Sequence, residues 1–274
     1  MALIIVTGKG GVGKSTLTAT LVRLLQAEGR MDFTVVDADP VGALAMLLGA
    51  PDRPTITEAY NNSGKVQAFP AEGEKSGMSF GAHVKPLMAP LKGGGHLVSM
   101  GHHREESCFC RINGLTRAAI QLILNRYPLV LMDNEAGLEH LTRGTGRHAA
   151  RLIMMADQSR AALKVAQDIL ETARALNREG AERLKGSAHL GVRSGNGTTE
   201  AHRHVMRTVA RDLSLPAPVF LPFDPHISMA QMAGDPLPEF SDALPFYQAV
   251  KAWVDTERFL DVRVPTPKQY VAAD

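Results

Sequence analysis

Nine residues near the start of the chain combine glycines, a lysine and hydroxyls at a spacing that suits phosphate chemistry: Gly8-Lys9-Gly10-Gly11-Val12-Gly13-Lys14-Ser15-Thr16. Glycines let the backbone turn tightly and aim successive N–H groups at one anion. The motif G-x-x-x-x-G-K-[ST] has force only between a strand and a helix. Here the apolar run Leu3–Thr7 precedes it and a helical pattern over Ser15–Glu28 follows. Gly8, Gly10, Gly11, Val12 and Gly13 therefore form an expected phosphate cradle, and the helix adds its positive dipole end. Lys14 reaches the β- and γ-phosphates, the Ser15 hydroxyl ligates Mg²⁺, and Thr16 contacts the α-phosphate. The expected ligand is ATP with Mg²⁺.

Two later runs end on carboxylates. Val35-Val36-Asp37-Ala38-Asp39-Pro40 closes one apolar run, and Leu129-Val130-Leu131-Met132-Asp133 closes another. Carboxylates at the carboxyl ends of parallel strands face the ligand crevice. There they can hold Mg²⁺ through water or orient an attacking water. Asp37 and Asp133 are expected in the metal shell and Asp39 near the hydrolytic water. The competing readings are loop capping for Asp37 and Asp39 and a helix cap for Asp133. In Asn134-Glu135-Ala136-Gly137 the Gly137 N–H can donate to the γ-phosphate, a contact that ends on hydrolysis.

The second lysine, Lys9, makes the loop Lys-Gly-Gly-Val-Gly-Lys-Ser-Thr. This resembles the deviant Walker A motif of the ATPase family that holds MinD, ParA, ArsA and the nitrogenase Fe protein. The resemblance implies an ATP-dependent homodimer in which Lys9 reaches the partner's nucleotide, as an arginine finger would. It also implies that Leu221-Pro222-Phe223-Asp224 flanks the base through Pro222 and Asp224. Relatives carry Asn-Arg for adenine near residue 190. Here Gly191-Val192-Arg193-Ser194 offers Arg193 for part of that contact.

Cys108-Phe109-Cys110 follows His102 and His103 and precedes a helical pattern over Ile112–Arg126. Thiolates bind Zn²⁺ and other borderline metals strongly, but two cysteines fill half a tetrahedral site. A symmetric dimer would supply the other half. Such a pair can also simply fill a core, and the two histidines also suit a surface position. The stretch His96-Leu97-Val98-Ser99-Met100-Gly101, the Cys-x-Cys pair and Asp133-Asn134-Glu135-Ala136-Gly137-Leu138-Glu139-His140-Leu141-Thr142-Arg143-Gly144-Thr145 together resemble the CooC-type ATPases. That resemblance implies Ni²⁺ or Zn²⁺ held between two subunits by Cys108 and Cys110. It implies a nickel enzyme such as carbon monoxide dehydrogenase as client.

These residues need a scaffold. Apolar runs at Leu3–Thr7, Phe33–Asp37, His96–Met100, Leu129–Asp133, Leu152–Ala156, Ala188–Val192 and Val219–Leu221 alternate with helical patterns. The latter include Arg160–Arg178, Glu200–Leu213 and Leu244–Glu257. The expected fold is a single α/β domain of the P-loop NTPase class (SIMIBI, MinD-like), a mostly parallel sheet with helices on both faces. Residues 1–260 form this domain, with an irregular excursion at about 51–95 and a tail at 261–274 that carries Pro265 and Pro267.

The composition narrows the partners. Aromatics at 5% disfavour a base-stacking surface, and a net charge of +2 does not argue for a polyanion. Neither nucleic acid nor membrane is expected. Met1–Val6 reads as a strand rather than a signal peptide. A secreted disulfide scaffold would carry more than the two cysteines present, and with one residue between them an intrachain bridge would be strained; both points favour the reducing cytoplasm. Two other functions stay open. An iron–sulfur reductase similar to the nitrogenase Fe protein would carry a cysteine in its second switch, yet 133–137 has none. A MinD- or ParA-like positioning ATPase would need a basic amphipathic tail or a basic DNA face.

Overall fold

Strands that are apolar on both faces must be covered on both faces, and the helices between them do this. The protein is described by a computed structural model that covers residues 2–40, 42–61, 79–101, 109–134, 149–178, 188–195, 197–258 and 260. Its strands are β1 (Ala2–Gly8), β2 (Phe33–Ala38), β3 (Ala89–Pro90), β4 (His96–Ser99), β5 (Leu129–Asn134), β6 (Ala149–Ala156), β7 (Ala188–Arg193) and β8 (Val219–Leu221). They form one sheet in the order β3-β4-β2-β5-β1-β6-β7-β8. Every described pairing is parallel except that of β3 with β4. The helices are α1 (Lys14–Ala27), α2 (Ala43–Leu48), α3 (Ile56–Asn61), α4 (Phe109–Leu124), α5 (Arg160–Arg178), α6 (Glu200–Asp212), α7 (Pro225–Ala233) and α8 (Pro245–Glu257).

Alternation along the central strands splits the core in two. Ile4, Val6, Val35 and Leu131 face α1, α2 and α8 through Leu17, Leu21, Leu44, Tyr247 and Trp253. Leu3, Ile5, Val36 and Val130 face α4, α5 and α6 through Ile120, Ile123, Ile169 and Met206. The expected two-faced parallel sheet is what the structure shows. β4 lies outside β2 and β6 lies beside β1, so the strand order reverses around β1 and opens a crevice at the carboxyl ends.

Between 51 and 95 the described residues carry more structure than the composition suggests. They include α3, a turn of π-helix at Phe80–Val84, a 3₁₀ turn at Lys85–Leu87 and β3. Ile56, Val84, Leu87 and Met88 are buried in the same core as α4. Elements this short span less than two turns, so no hydrophobic period can build up in the sequence.

Candidate nucleotide-binding site

β1 runs into the phosphate loop because its last residue can approach the neighbouring strand closely. Gly8 has φ +136°, and a Cβ there would lie 2.1 Å from the carbonyl oxygen of Met155 on β6. The loop then turns through Gly13, which caps α1 in a left-handed conformation at φ 93° and offers no side-chain cap. The first N–H groups of α1 are left for an outside acceptor, which is the property of an anion site. Lys14 is buried, and its ammonium donates to the Lys9 carbonyl at 3.3 Å across the loop. Gly10, Gly11, Val12, Gly13, Lys14, Ser15 and Thr16 line a cavity of about 630 Å³, together with Asp39, Arg193, Pro222 and Asp224. That volume lies in the range of small-molecule sites.

The carboxylates converge from neighbouring strands. Asp37 on β2 and Asp133 on β5 are register partners, and both are fully buried. The Asp37 carboxylate accepts backbone N–H bonds from Asp39 and Leu44, both at 3.2 Å. Burial, together with the Asp133 charge beside it, pushes Asp37 up to about 7. Burial likewise pushes Asp133 up to about 6, with Ser15 and Lys14 pulling the other way. Asp133 Oδ1 accepts the Thr18 hydroxyl at 3.4 Å, while its Oδ2 is buried with no hydrogen-bonding partner among the described residues. A pair of buried carboxyls with one oxygen unserved, next to a serine hydroxyl, suits a divalent cation. Mg²⁺ takes one or two carboxylates and completes its shell with water and phosphate. Ser15, Asp37 and Asp133 are therefore the residues that could hold it, and Asp39 lies on the wall of the same cavity.

The opposite wall comes from the ends of β7 and β8. Arg193 reaches over the cradle, and its guanidinium donates to the Gly11 carbonyl at 2.8 Å. Pro222 and Asp224 both line the cavity, and the Asp224 carboxylate also holds neighbouring backbone. It accepts the N–H groups of His226 at 3.0 Å and Ile227 at 3.4 Å at the head of α7, and that of Phe246 at 3.4 Å on α8. Asp224 thus reaches the site by fixing the Pro222–Phe223 corner. Three contributors were not anticipated. Gln231 on α7 donates to the Thr16 hydroxyl at 2.7 Å, and Thr18 serves Asp133. Asp157, just past β6, holds the Lys9 ammonium at 3.2 Å. Burial alone would raise the Asp157 carboxyl, but hydrogen bonds from Ser159 and Lys9 outweigh it and hold it below the usual range. A carboxylate one step beyond a strand is the signal that marked Asp39, and it would have found Asp157. Gln231 lies far from any motif.

Gly137, Cys108, His102, His103 and the tail at 261–274 lie outside the described residues, as does most of the stretch Asp133–Thr145. Cys110 stands in the first turn of α4, and its side chain is likewise outside them. Among the described residues no group of three or more His, Cys, Asp or Glu is arranged around a metal position. No described helix is long and apolar enough to cross a membrane.

Residues 3–237 match the family described as the CobQ/CobB/MinD/ParA nucleotide binding domain. The chain is 33% identical to the carbon monoxide dehydrogenase accessory protein CooC of Rhodospirillum rubrum over 183 residues, 63% of this chain and 69% of that protein. It is 32% identical to an uncharacterized ATP-binding protein of Methanocaldococcus jannaschii over 177 residues, 64% of this chain and 69% of the other. The cell-division protein MinD of Aquifex aeolicus shares the fold, with a TM-score of 0.63 at 18% identity over 97% of this chain and 99% of that one.

Proposed function

Because the chain belongs to the CobQ/CobB/MinD/ParA nucleotide-binding family, we propose that it is a dimeric ATPase that carries nickel to a metalloenzyme similar to carbon monoxide dehydrogenase. Residues 1–260 serve as the ATPase unit, 51–95 as its insertion and 261–274 as a tail. ATP lies on the cradle from Gly8 to Thr16, with Lys14 on the β- and γ-phosphates and Gly137 on the γ-phosphate. Ser15, Asp37 and Asp133 hold Mg²⁺, which neutralises phosphate charge. Asp39 orients the attacking water. Arg193 and Pro222 border the base, and Asp224 holds that corner in place. Lys9 leaves Asp157 and acts on the nucleotide of the partner subunit. Cys108 and Cys110 of two chains hold Ni²⁺ or Zn²⁺, and hydrolysis to ADP and phosphate reopens the dimer.

The observation that supports this reading is where the helix that carries Cys110 begins. α4 begins at Phe109, between the two cysteines. It follows β4 and leads back to parallel β5, so its first turn lies at the carboxyl ends of the strands. That is the side on which the phosphate cradle and the buried carboxylates stand. The 33% identity to a carbon monoxide dehydrogenase accessory protein supports the choice of client. The test is metal content and oligomeric state measured together, with and without ATP. The unaltered protein should form a dimer that retains nickel or zinc when ATP is present. A Cys108→Ala, Cys110→Ala double variant should bind ATP and lose the metal. Equal metal content in both proteins would reject the reading.

A further inference from the structure

α1 carries three threonines, and their hydroxyls are engaged differently. The Thr20 hydroxyl donates to the Thr16 carbonyl at 2.8 Å. The Thr18 hydroxyl divides its proton between the Lys14 carbonyl at 3.1 Å and the Asp133 carboxylate at 3.4 Å. Both protons are spent inside the protein, the usual fate of a hydroxyl within a helix. Thr16 differs. Its hydroxyl oxygen accepts the Gln231 amide at 2.7 Å and, among the described residues, donates to no acceptor. A hydroxyl has one proton and two lone pairs. With the amide on one lone pair, the proton is kept for another partner. Thr16 and Gln231 both line the cavity at the phosphate cradle.

The helix that delivers Gln231 is held at both ends. Asp224 caps its start by accepting the N–H groups of His226 and Ile227. Gly234 ends it in a left-handed conformation at φ 75°, and the Asp235 N–H donates back to the Ala230 carbonyl at 2.9 Å. Ile227 is 4% exposed, buried in the core that also holds α1. Gln231 stands four residues on, so it shares the face of α7 that Ile227 turns toward α1.

We infer that Gln231 is a positioning residue for the nucleotide: its amide holds the Thr16 hydroxyl so that the proton is presented to the α-phosphate. The inference rests on the ATP-binding reading above. A hydroxyl that accepts a hydrogen bond is polarised into a better donor, and its bond to a phosphate oxygen is charge-assisted. ADP and ATP share the α-phosphate, and cleavage beyond the β-phosphate leaves it in place. The bond therefore serves substrate and product alike.

Gln231→Leu removes the amide and keeps a good helix former. ADP affinity is measured by calorimetry with Mg²⁺ in the unaltered protein, Gln231→Leu, Thr16→Val and the double variant. Thr16→Val should lose about tenfold or more, as for a hydrogen bond to a charged group. Gln231→Leu should lose about fivefold, equally for ADP and for a non-hydrolysable ATP analogue. In steady-state hydrolysis this loss should appear in KM rather than in kcat, because the contact is the same before and during cleavage. The double variant should match Thr16→Val within about twofold, since no hydroxyl is left to orient. Gln231→Glu, which replaces the donor by an acceptor, should lose at least as much as Gln231→Leu. Unaltered ADP affinity in both Gln231 variants overturns the inference. So does a fivefold loss that persists in the Thr16→Val background, which would mark Gln231 as support for the wall alone. If Thr16→Val costs nothing while the unaltered protein binds ADP, the nucleotide site stands and only this inference falls. If the unaltered protein binds neither ADP nor the ATP analogue, the ATP-binding reading itself fails.

Discussion

At the scale of single residues, the site is a balance between anions that crowd each other and cations that relieve them. Asp37 and Asp133 stand side by side in the core, at about 7 and about 6 against an ordinary 3.8. A carboxyl whose pKa is raised by folding stabilises the fold while it is protonated, and that contribution is lost as pH climbs through the folded value. The nucleotide-free protein should therefore melt higher at a pH of about 5.5 than at about 8 from this source. Asp37→Asn should flatten the difference and weaken Mg²⁺-nucleotide binding, as thermal scans across pH and a nucleotide titration would show. Lys14→Ala removes a buried charge-assisted donor, so nucleotide affinity should drop by about 10- to 100-fold in a fluorescence titration. Lys9 and Asp157 are each more than a third exposed. Such a pair is worth less than about 1 kcal/mol, so Lys9 can exchange Asp157 for another anion at small cost.

At the scale of elements, the close approach of β1 and β6 decides where the cradle sits. Gly8→Ala would place a methyl against the Met155 carbonyl at a φ that L-residues avoid. It should cost about 3 kcal/mol or more, read as a lower urea midpoint. The loss of nucleotide binding should exceed that of a substitution at Gly10, whose Cβ would meet nothing. The long elements were legible beforehand. α5 has the expected bounds Arg160–Arg178, and β8 the expected Val219–Leu221. The α4 start at Phe109 rather than Ile112 matters, because it brings Cys110 onto the helix. α2, α3 and α7 were not read from the sequence. Their runs are six, six and nine residues, too short for a 3.6-residue period to stand out.

At the scale of the whole molecule, the late chain closes over the early chain. Arg23 on α1 donates to the Leu237 carbonyl at 3.1 Å, and Leu237 N–H donates to the Leu47 carbonyl at 2.8 Å. Trp253 on α8 is 3% exposed within the core that holds α1, β1 and β2. Its ring meets His189 edge-on at 6.3 Å, linking α8 to β7. Trp253→Ala should destabilise the protein by about 3–5 kcal/mol in denaturant unfolding. Trp253 is the only tryptophan, so its fluorescence reports on this closure alone. Its transition should coincide with that of the far-ultraviolet dichroism if the two faces of the sheet unfold together.

The residue order alone determined the phosphate loop, the two carboxylate-ended strands and the alternation that builds the sheet. Each is a local pattern, with donors, acceptors and apolar side chains at spacings set by backbone geometry. Pairings between distant segments had no such local trace. Asp37 beside Asp133, Asp157 on Lys9 and Gln231 on Thr16 exist because strand order and helix docking bring remote residues within bonding distance. The bonds of the Asp224 carboxylate to the N–H groups of α7 and α8 are likewise made by packing. Tertiary structure decided these because burial assigns each polar atom the partner that desolvation makes it require.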